Sequence, residues 1–509
     1  MKRRSAARRR SAAVGSLLAC GLWQASAMAQ EAPQNPHENA TFLYTEPMPT
    51  HYLRPMVEEL AALLAGLGQY YWAQETNSLD WDNTYDWAGL ESKIDGSGYA
   101  FDTNYFDTNY LSHPGSGTIY YWLARGNRMS VMTALAFAFA SSAVWEYAGE
   151  FRERVSVNDV FVTPLAGLAI GETTTQIGAF FDRSCGTVVN RTLGAVFAPS
   201  KTAHDLADGA ELARTSECDR YGLARSGEHR FALRSAGAAV FSEDRPSVFE
   251  TRLGLDLGVK NLRRVGHAGR GLDTFDDGNV AELSASAALS KGGFSDVRVA
   301  VRNVPAGIHF RDSAQGTRRR EVIFGPVVRG TYSAHRFDRE RSTFDRAFFL
   351  DAPAVTVEYV EETQGIRFDA RLDAGGSFGG VSSPAQARYL RYGSADALPS
   401  VAREHGYNHV VGLVLAPSLR LRTPHVELGA ALDSHRVWAV RFLDRYGGRD
   451  FVPASDGVRR GAVWLGFGPR ELPPRLVFFA DFLEHRSTVE VQTETRREYS
   501  TGLALESVL

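Results

Sequence analysis

The residues that could carry out chemistry are concentrated between positions 101 and 172 of this 509-residue sequence. His113 offers an imidazole that titrates near neutral pH. Together with a carboxylate it could act as a general base or supply two ligands of a metal site. Glu146 and Glu150 are four positions apart, which places both carboxylates on one face of a helix. These three residues are therefore the candidate catalytic residues, although a structural ion network between helices explains the same residue types.

The same stretch contains four further polar residues that we expect to form a binding or structural polar network: Asn109, Arg125, Asp159 and Glu172. Arg125 could pair with Glu146 or with Glu150. Asp159 closes a Ser-Val-Asn-Asp segment that is typical of a helix capping box. Glu172 lies in an otherwise apolar segment, so it needs a partner, a polar lumen or a raised pKa.

Three helical segments would position these side chains. His51–Ala73 has apolar residues at three- and four-residue spacing. Ser130–Trp145 carries no charge, but as a helix it rises only about 24 Å, short of a bilayer's roughly 30 Å core, so a helix buried in protein is favoured. Thr163-Pro164 predicts the start of a third helix. Residues 102–115 are rich in Asn, Asp, Pro and Gly, which predicts turns.

The order of these motifs is similar to that of a known family. The motifs follow one another as Asn109…His113-Pro114…Gly117…Tyr120-Tyr121…Ala124-Arg125, Trp145-Glu146-Tyr147…Glu150 and Asn158-Asp159…Thr163-Pro164…Gly167…Gly171-Glu172. This succession resembles the bacterial domain of unknown function 3943 family. The resemblance implies a location in the cell envelope and no particular activity.

The amino terminus predicts export. A basic region is followed by the apolar Ala12–Trp23 and by Ala27-Met28-Ala29, so residues 1–29 are interpreted as a signal peptide and residues 30–50 as an extended leader. A lipoprotein cleavage box at Cys20 and a degenerate twin-arginine signal remain alternatives.

Two cysteines remain after cleavage before Gln30. An even pair in an exported chain makes Cys185 and Cys218 a disulfide candidate, and two free thiols are the alternative.

From residue 228 onward the hydrophobic period changes from near 3.6 to 2. Residues 201–227 lack a core-forming pattern and are interpreted as a linker between a helical domain, 51–200, and an antiparallel β-barrel, 228–509. The alternation is clearest at Leu253/Leu255/Leu257/Val259, Ile366/Phe368/Ala370/Leu372 and Val426/Leu428/Ala430/Leu432. We predict about twelve strands, several of them near the roughly 9–11 residues of a tilted membrane strand.

Predicted export and two further features favour an outer-membrane barrel over a soluble periplasmic sandwich or barrel. Connections alternate between short and long, which predicts tight turns at one rim and long loops at the other. The short ones are Lys291–Gly293, Gln364–Gly365 and Thr423–Pro424, and the long ones are Asn303–Arg320, Val381–Gly406 and Arg445–Arg459. Tyr499–Leu509 also resembles the terminal strand by which outer-membrane barrels are recognised, although Leu509 replaces the usual aromatic residue.

Composition narrows the function classes. The net charge of −3 becomes −9 without the six basic residues of segment 1–29, which argues against nucleic acid as a partner. We find no Gly-x-Ser-x-Gly, His-Glu-x-x-His, phosphate-loop or dinucleotide motif, so no nucleotide and no cofactor is predicted.

The sequence thus predicts an α+β chain with a small helical domain before an outer-membrane barrel. Expected partners are outer-membrane lipid and the barrel-assembly machinery. The expected role is envelope structure or solute passage, with the helices as a plug or a periplasmic domain. The alternative is a membrane-associated enzyme that acts on a lipid or envelope glycoconjugate through His113 and Glu146 or Glu150.

Overall fold

The structure is a computed structural model. The predicted signal peptide and residues 30–42 of the predicted leader lie outside the residues that it describes. The described residues are 43–73, 87–150, 154–225, 228–243, 245–262, 269–314, 318–336, 345–392, 401–440, 453–469 and 474–508.

The second half of the chain is a large antiparallel sheet. Its strands are β3 (Glu228–Ser242), β4 (Arg245–Lys260), β5 (Gly269–Phe275), β6 (Val280–Ser290), β7 (Gly293–Val304), β8 (Gly307–Ala314), β9 (Arg318–His335), β10 (Asp345–Thr363), β11 (Ile366–Ser382), β12 (Asn408–Arg422), β13 (Val426–Ala439), β14 (Ala454–Phe467), β15 (Arg475–Val489) and β16 (Gln492–Val508). Two short helices, α9 (Pro384–Tyr392) and α10 (Val401–Glu404), lie between β11 and β12.

Twelve of these strands close into a barrel. The ring runs from β3 through β4, β6, β7 and β9 to β16, and β16 pairs with β3, for example at Tyr499↔Phe241. β5 and β8 lie outside the ring, because β8 pairs with the part of β9 that β7 does not reach, as at Ile308↔Phe324. The predicted antiparallel barrel of about twelve strands is confirmed.

The barrel has two rims. We call the rim where β3 begins and β16 ends the terminal rim, and the opposite one the distal rim. The predicted division into a short-turn rim and a long-loop rim is wrong, because the turn at Lys291–Gly293 and the long Val381–Gly406 connection share the distal rim. Part of the supposed loop Asn303–Arg320 is strand β8 at the terminal rim.

Ion pairs across the barrel identify its inner face. Arg298 on β7 lies 2.6 Å from Asp433 on β13, and Arg460 on β14 lies 2.9 Å from Asp296 on β7. These strands are not neighbours, so the side chains meet only across the lumen. Because side chains alternate along a strand, the residues between them, such as Val299 and Val301, face outward.

Eight helices precede the barrel in the described residues. They are α1 (Leu53–Ala73), α2 (Trp87–Asp95), α3 (His113–Gly126), α4 (Val131–Val144), α5 (Val157–Gly167), α6 (Thr173–Arg183), α7 (Val188–Phe197) and α8 (Pro199–Asp208). π-helical turns at Thr108–Ser112, Trp145–Gly149 and Leu168–Glu172 adjoin α3, α4 and α5, and a two-residue parallel ladder pairs β1 (Tyr99–Ala100) with β2 (Val155–Ser156). Among the described residues, Val131–Gly149 is long and apolar enough to cross a bilayer by length and composition alone.

The helical region packs against the outside of the barrel, mainly through α5, the π-helical turn Leu168–Glu172 and α6, along one line of strand pairing. The line passes through outward-facing partners on successive strands: Phe231, Leu257, Leu283, Val301, Gly330, Leu350 and Phe378. The ring of Phe180 on α6 lies 5.2 Å from that of Phe231, and a Cβ added to Gly330 would lie 3.9 Å from the Cβ of Ala169. The helical region is therefore a partial outer layer on the barrel wall.

Of the two predicted roles of the amino-terminal helices, a lumen plug and a periplasmic domain, the plug does not agree with these contacts. The lumen-facing side chains include many arginines and carboxylates, whereas the outward side chains beneath the helices, such as Val301, Val328 and Leu350, are apolar. The apolar helix faces are favourably removed from water where they pack against other apolar side chains, and the outer wall of the barrel provides such side chains.

Two predicted helix boundaries also differ from the structure. The third predicted helix begins at Val157 rather than at Thr163-Pro164, because Ser156 caps it and Pro164 lies inside it. The segment predicted as turns contains the π-helical turn Thr108–Ser112 and the start of α3. Burial of Phe106 and Tyr110 in the main core outweighs the turn preference of their neighbours.

The predicted linker 201–227 begins inside α8. The Nζ atom of Lys201 lies 2.6 Å from Asp182 and 2.7 Å from Asp205, and all three side chains are buried. This helix is held by buried charges rather than by an apolar stripe, so hydrophobic periodicity could not reveal it.

Candidate functional site

The polar residues singled out from the sequence fall into two separate clusters. His113, Glu146 and Asp159 meet in one buried cluster between α3, α4 and α5, which we call the His113 cluster. Arg125 and Glu172 belong to a second cluster at the boundary with the barrel.

The His113 cluster combines one imidazole with buried carboxylates. His113 Nδ1 lies 3.0 Å from Asp159 Oδ1. One potential ligand atom from each of Asp102, His113 and Asp159 lies within 4.8 Å of the other two. Asp102, Asp159 and Glu146 are buried, whereas the His113 side chain is 16% exposed. His113 is therefore the member of the cluster that solvent reaches.

The β1–β2 ladder and the side-chain amide of Asn158 bring the residues of the cluster together. The β1–β2 pair sets Ala100 beside Ser156, just ahead of the first turn of α5. The Asp102 N–H donates to Asn158 Oδ1 at 2.7 Å, and Asn158 Nδ2 donates to Asp159 Oδ1 at 3.0 Å. The Asp159 N–H donates to Ser156 Oγ at 3.3 Å. The capping interaction thus exists, but it leaves the Asp159 carboxylate available to His113.

The electrostatics of the cluster are dominated by its carboxylates. Burial lowers the pKa of His113, but the charge and hydrogen bond of Asp159, together with the charges of Asp102 and Glu150, outweigh burial and raise that pKa to about 9. Glu146 Oε2 accepts from the Ser156 N–H at 2.7 Å. Among the described residues, Glu146 Oε1 and Asp159 Oδ2 are buried without a hydrogen-bond partner. The cluster can therefore hold a proton on its imidazole or accept a further positive charge.

Glu150 lies at the edge of this cluster and has a different partner. Trp145 Nε1 donates to Glu150 Oε1 at 2.9 Å, while Lys93 Nζ donates to the Glu150 carbonyl at 2.8 Å. Glu150 is thus held by Trp145 and Lys93, and its charge also acts on His113.

Sequence reasoning missed Asp102. It belongs to the first of two Asp-Thr-Asn-Tyr tetrads, and that repeat was the only signal available. The tetrad is typical of turns, and that interpretation does not predict that the β1–β2 ladder brings the Asp102 carboxylate close to Asp159.

The second cluster fastens the helices to the barrel. Arg125 Nε donates to Glu172 Oε2 at 2.7 Å, and Arg125 Nη2 donates to Asp277 Oδ1 at 2.8 Å in the β5–β6 connection. Tyr121 Oη also donates to Glu172 Oε2, at 2.7 Å, and Gln176 Nε2 donates to the Asp277 carbonyl at 2.6 Å. The cluster is a structural joint, and Glu172 has the partners that its burial requires.

The expected pairing of Arg125 with Glu146 or Glu150 is therefore wrong. Its partners are Glu172 and Asp277, and Asp277 comes from the barrel half of the chain.

Asn109 belongs to neither cluster. Its Nδ2 donates to Tyr407 Oη at 2.8 Å, and Tyr407 Oη donates to the Asn104 carbonyl at 2.6 Å. Asn109 thus ties the π-helical turn before α3 to the β11–β12 connection.

Cys185 and Cys218 form a disulfide in the structure. The bond connects the end of α6 to the segment that leads into β3. It holds the entry strand of the barrel close to the helical layer.

The barrel lumen contains a chamber of about 1180 Å³ with charged walls. Ion pairs line it, including Arg298 with Asp433 at 2.6 Å and Arg252 with Asp481 at 2.9 Å. At the terminal rim its lining includes Tyr221, from the segment before β3.

The chamber ends at a layer of ion pairs before the distal rim. His335 lies 2.9 Å from both Asp296 and Glu498, and these three residues are among the lining. Beyond this layer, inward-facing apolar residues from β10 to β14 pack together: Ala347, Phe349, Val381, Val410, Val437 and Val458.

Helix α9 occupies the distal mouth above that apolar layer. The Ala385 N–H donates to Ser487 Oγ at 2.9 Å, and Tyr389 packs with the inward-facing Ala454 and Val489. Among the described residues, the element in the lumen mouth is thus the β11–β12 connection, and together with the apolar layer it closes the chamber toward the distal rim.

Comparison with protein families confirms the resemblance predicted from the motifs. Residues 98–200 match the family model described as "Domain of unknown function (DUF3943)". The matched segment contains the His113 cluster and most of the helical layer. A comparison of the sequence with curated proteins yields no match.

Comparison with solved structures finds outer-membrane proteins at low similarity. A loop L8 deletion mutant of OmpT from Vibrio cholerae is 8% identical, with 55% of this chain and 100% of that chain covered and a TM-score of 0.22. DcaP of Acinetobacter baumannii is 8% identical, with coverage of 56% and 99% and a TM-score of 0.21. The NalP translocator domain from Neisseria meningitidis is 13% identical, with coverage of 61% and 99% and a TM-score of 0.20. At such TM-scores these likenesses carry no functional argument.

Proposed function

We propose that the protein is an outer-membrane barrel whose lumen is closed in the described state, and that it passes a small polar solute when α9 leaves the distal mouth. The observation that carries this proposal is the blind, charged chamber, closed by one apolar layer and one short helix.

The outer wall supports membrane insertion. The helical region reaches β12 only near its start, where His409 bonds to the Asp102 carbonyl. Beyond that contact, strands β12 to β16 present exposed apolar side chains, among them Leu413, Leu428, Val463, Phe478 and Leu505, each between 49% and 60% exposed. A contiguous apolar wall of this kind is unfavourable in water and suits lipid. The alternating terminal strand β16 suits recognition by the barrel-assembly machinery.

The chamber supports passage of a polar solute rather than an apolar one. Paired charges line its wall, so a polar or charged solute can exchange hydrogen bonds with the wall at little cost. The same ion pairs would strongly disfavour an apolar solute, because it would desolvate them without replacing their partners.

The hinge for opening is short. Strands β11 and β12 pair up to Val381↔Asn408, so their ends already lie side by side at the distal rim. Removal of residues 384–404 in favour of a short Gly-Ser turn would therefore leave the hairpin intact while it removes α9.

The test is single-channel conductance of purified full-length protein in planar bilayers. Wild-type protein should be silent, and the variant without residues 384–404 should conduct, more strongly with Phe349→Ala added to thin the apolar layer. The matched control shortens the neighbouring distal connection, residues 441–452, and should stay silent. All variants should keep heat-dependent gel mobility, which reports a folded barrel.

Silence of both opened variants, with folding intact, would refute passage and leave a structural role in the envelope. Recovery of the protein from the soluble periplasmic fraction would refute the membrane barrel itself.

A second candidate function is an enzyme that acts on a lipid or envelope glycoconjugate. The His113–Asp159 pair, which solvent reaches only through the partly exposed His113, favours it, with Asp159 rather than Glu146 or Glu150 as the group that orients the imidazole. Mass spectra of envelope lipids from cells with wild-type protein or with His113→Gln would differ if this candidate holds, and would coincide if it does not.

A further inference from the structure

The geometry of the His113 cluster points to a metal site: we infer that Asp102, His113 and Asp159 bind one divalent transition-metal ion, such as Zn²⁺ or Mn²⁺. The site lies in the helical layer, so it does not rest on passage through the lumen.

The distances suit a single ion. Ligand atoms bound at roughly 2.0–2.2 Å to one tetrahedral ion are about 3.4 Å apart. The three candidate atoms lie within 4.8 Å of one another, and His113 Nδ1 and Asp159 Oδ1 are already 3.0 Å apart. Movements of under about 1 Å per side chain would bring all three into coordination distance.

Two buried carboxylate oxygens in the cluster accept no hydrogen bond, which favours binding of a cation. Asp159 is 2% exposed and Glu146 is fully buried, and among the described residues Asp159 Oδ2 and Glu146 Oε1 accept no hydrogen bond. A buried carboxylate oxygen without a donor is costly. A cation beside Asp159 would compensate that unpaired oxygen. Both Asp102 carboxylate oxygens accept from Asn104, at 3.1 and 2.6 Å, and a carboxylate oxygen with one such bond still has a lone pair for a metal ion.

The ligand types select the class of metal. Ca²⁺ and Mg²⁺ prefer sites made of oxygen alone, whereas one imidazole nitrogen with carboxylates favours Zn²⁺, Mn²⁺ or Fe²⁺. Asn158 supplies the outer support that metal ligands usually have, because its side chain bonds to both the Asp102 backbone and the Asp159 carboxylate. The partly exposed His113 marks the side from which an ion would enter.

The test measures binding of Zn²⁺ or Mn²⁺ alone to full-length protein in detergent after treatment with a chelator. Elemental analysis after buffer exchange should give one ion per chain for wild type. Asp102→Asn and His113→Gln should each weaken binding at least tenfold in titrations, while Mg²⁺ should not compete.

The matched control is His204→Gln. His204 Nε2 lies 2.7 Å from Glu58 Oε1 in the same layer, a similar His–carboxylate pair without a third ligand nearby among the described residues. That variant should bind as wild type does.

Asp102→Asn preserves side-chain size, and heat-dependent mobility identifies any variant that fails to fold. If folded wild type binds no ion at one equivalent, or if folded Asp102→Asn and His113→Gln bind as tightly as wild type, the inference is overturned.

Discussion

A disulfide between Ala169→Cys and Gly330→Cys should join the helical layer to the outer wall of the barrel. A Cβ at Gly330 lies 3.9 Å from the Cβ of Ala169, inside the roughly 3.5–4.5 Å range of Cβ pairs in disulfides. Gly330 faces outward on β9, whereas the adjacent Thr331 faces the lumen. Oxidation of this pair therefore reports on which side of the wall the helices lie.

The stabilisation that this disulfide should give can be estimated from the length of the loop that it closes. It closes a loop of more than 100 residues, so the chain-entropy model gives a stabilisation of about 4.7 kcal/mol or more. The oxidised chain should migrate faster than the reduced chain on a denaturing gel and should unfold at a higher temperature in detergent. The existing disulfide involves Cys185 and Cys218, which leaves the new pair as the reporter.

The matched control combines Ala169→Cys with Thr331→Cys, one residue away but on the lumen side. We expect no bridge in that variant. If the Thr331 variant forms the bridge and the Gly330 variant does not, the helices fill the lumen after all, and the register line from Phe231 to Phe378 is not where they pack.

Three further outcomes follow from buried groups. Burial raises the pKa of Glu59 from 4.5 to about 7, so its contribution to stability is present below about pH 4.5 and is lost as the pH rises to about 7, by roughly 3 kcal/mol. Melts at pH 5 and pH 8 should show this loss in wild type but not in Glu59→Gln. Gly380→Ala should lower thermal stability by about 1–3 kcal/mol, because its Cβ would lie 2.0 Å from the Tyr110 ring. Gly376→Ala, with its nearest atoms 3.6 Å away, should be nearly neutral in the same melts. Arg125→Gln should cost about 3–5 kcal/mol in denaturant unfolding because it removes the cationic partner of the buried Glu172, and added Glu172→Gln should restore part of that loss.

The architecture of the barrel could be predicted because period-two alternation is local. The alternation predicts a strand at Leu253, Leu255, Leu257 and Val259 without any information about the neighbouring strands. The same alternation cannot say which face is inside, since both faces repeat with the same period. That choice is made by long-range pairs such as Arg298 with Asp433, whose strands are distant in sequence.

The candidate site was only half predictable for a related reason. His113 and Asp159 stand in recognisable motifs, but Asp102 reaches them through a ladder of two residues per strand, too short to leave a periodic signal. Arg125 has Asp277 as a partner from a barrel connection that no helical motif could foresee.

The change of hydrophobic period near residue 228 separates helices from strands, but it does not separate two independently folding domains. The main core contains helical residues such as Tyr121 and Ala166 together with barrel residues such as Val301 and Leu350. A helical region cut away from the barrel would expose that shared core to water and would lose the Arg125–Asp277 pair. In the proposed outer-membrane setting, a barrel without the helices would expose Val301 and Leu350 to lipid at little cost. The proposal therefore implies a one-sided dependence: the helices need the barrel wall to fold, while the wall can exchange them for lipid.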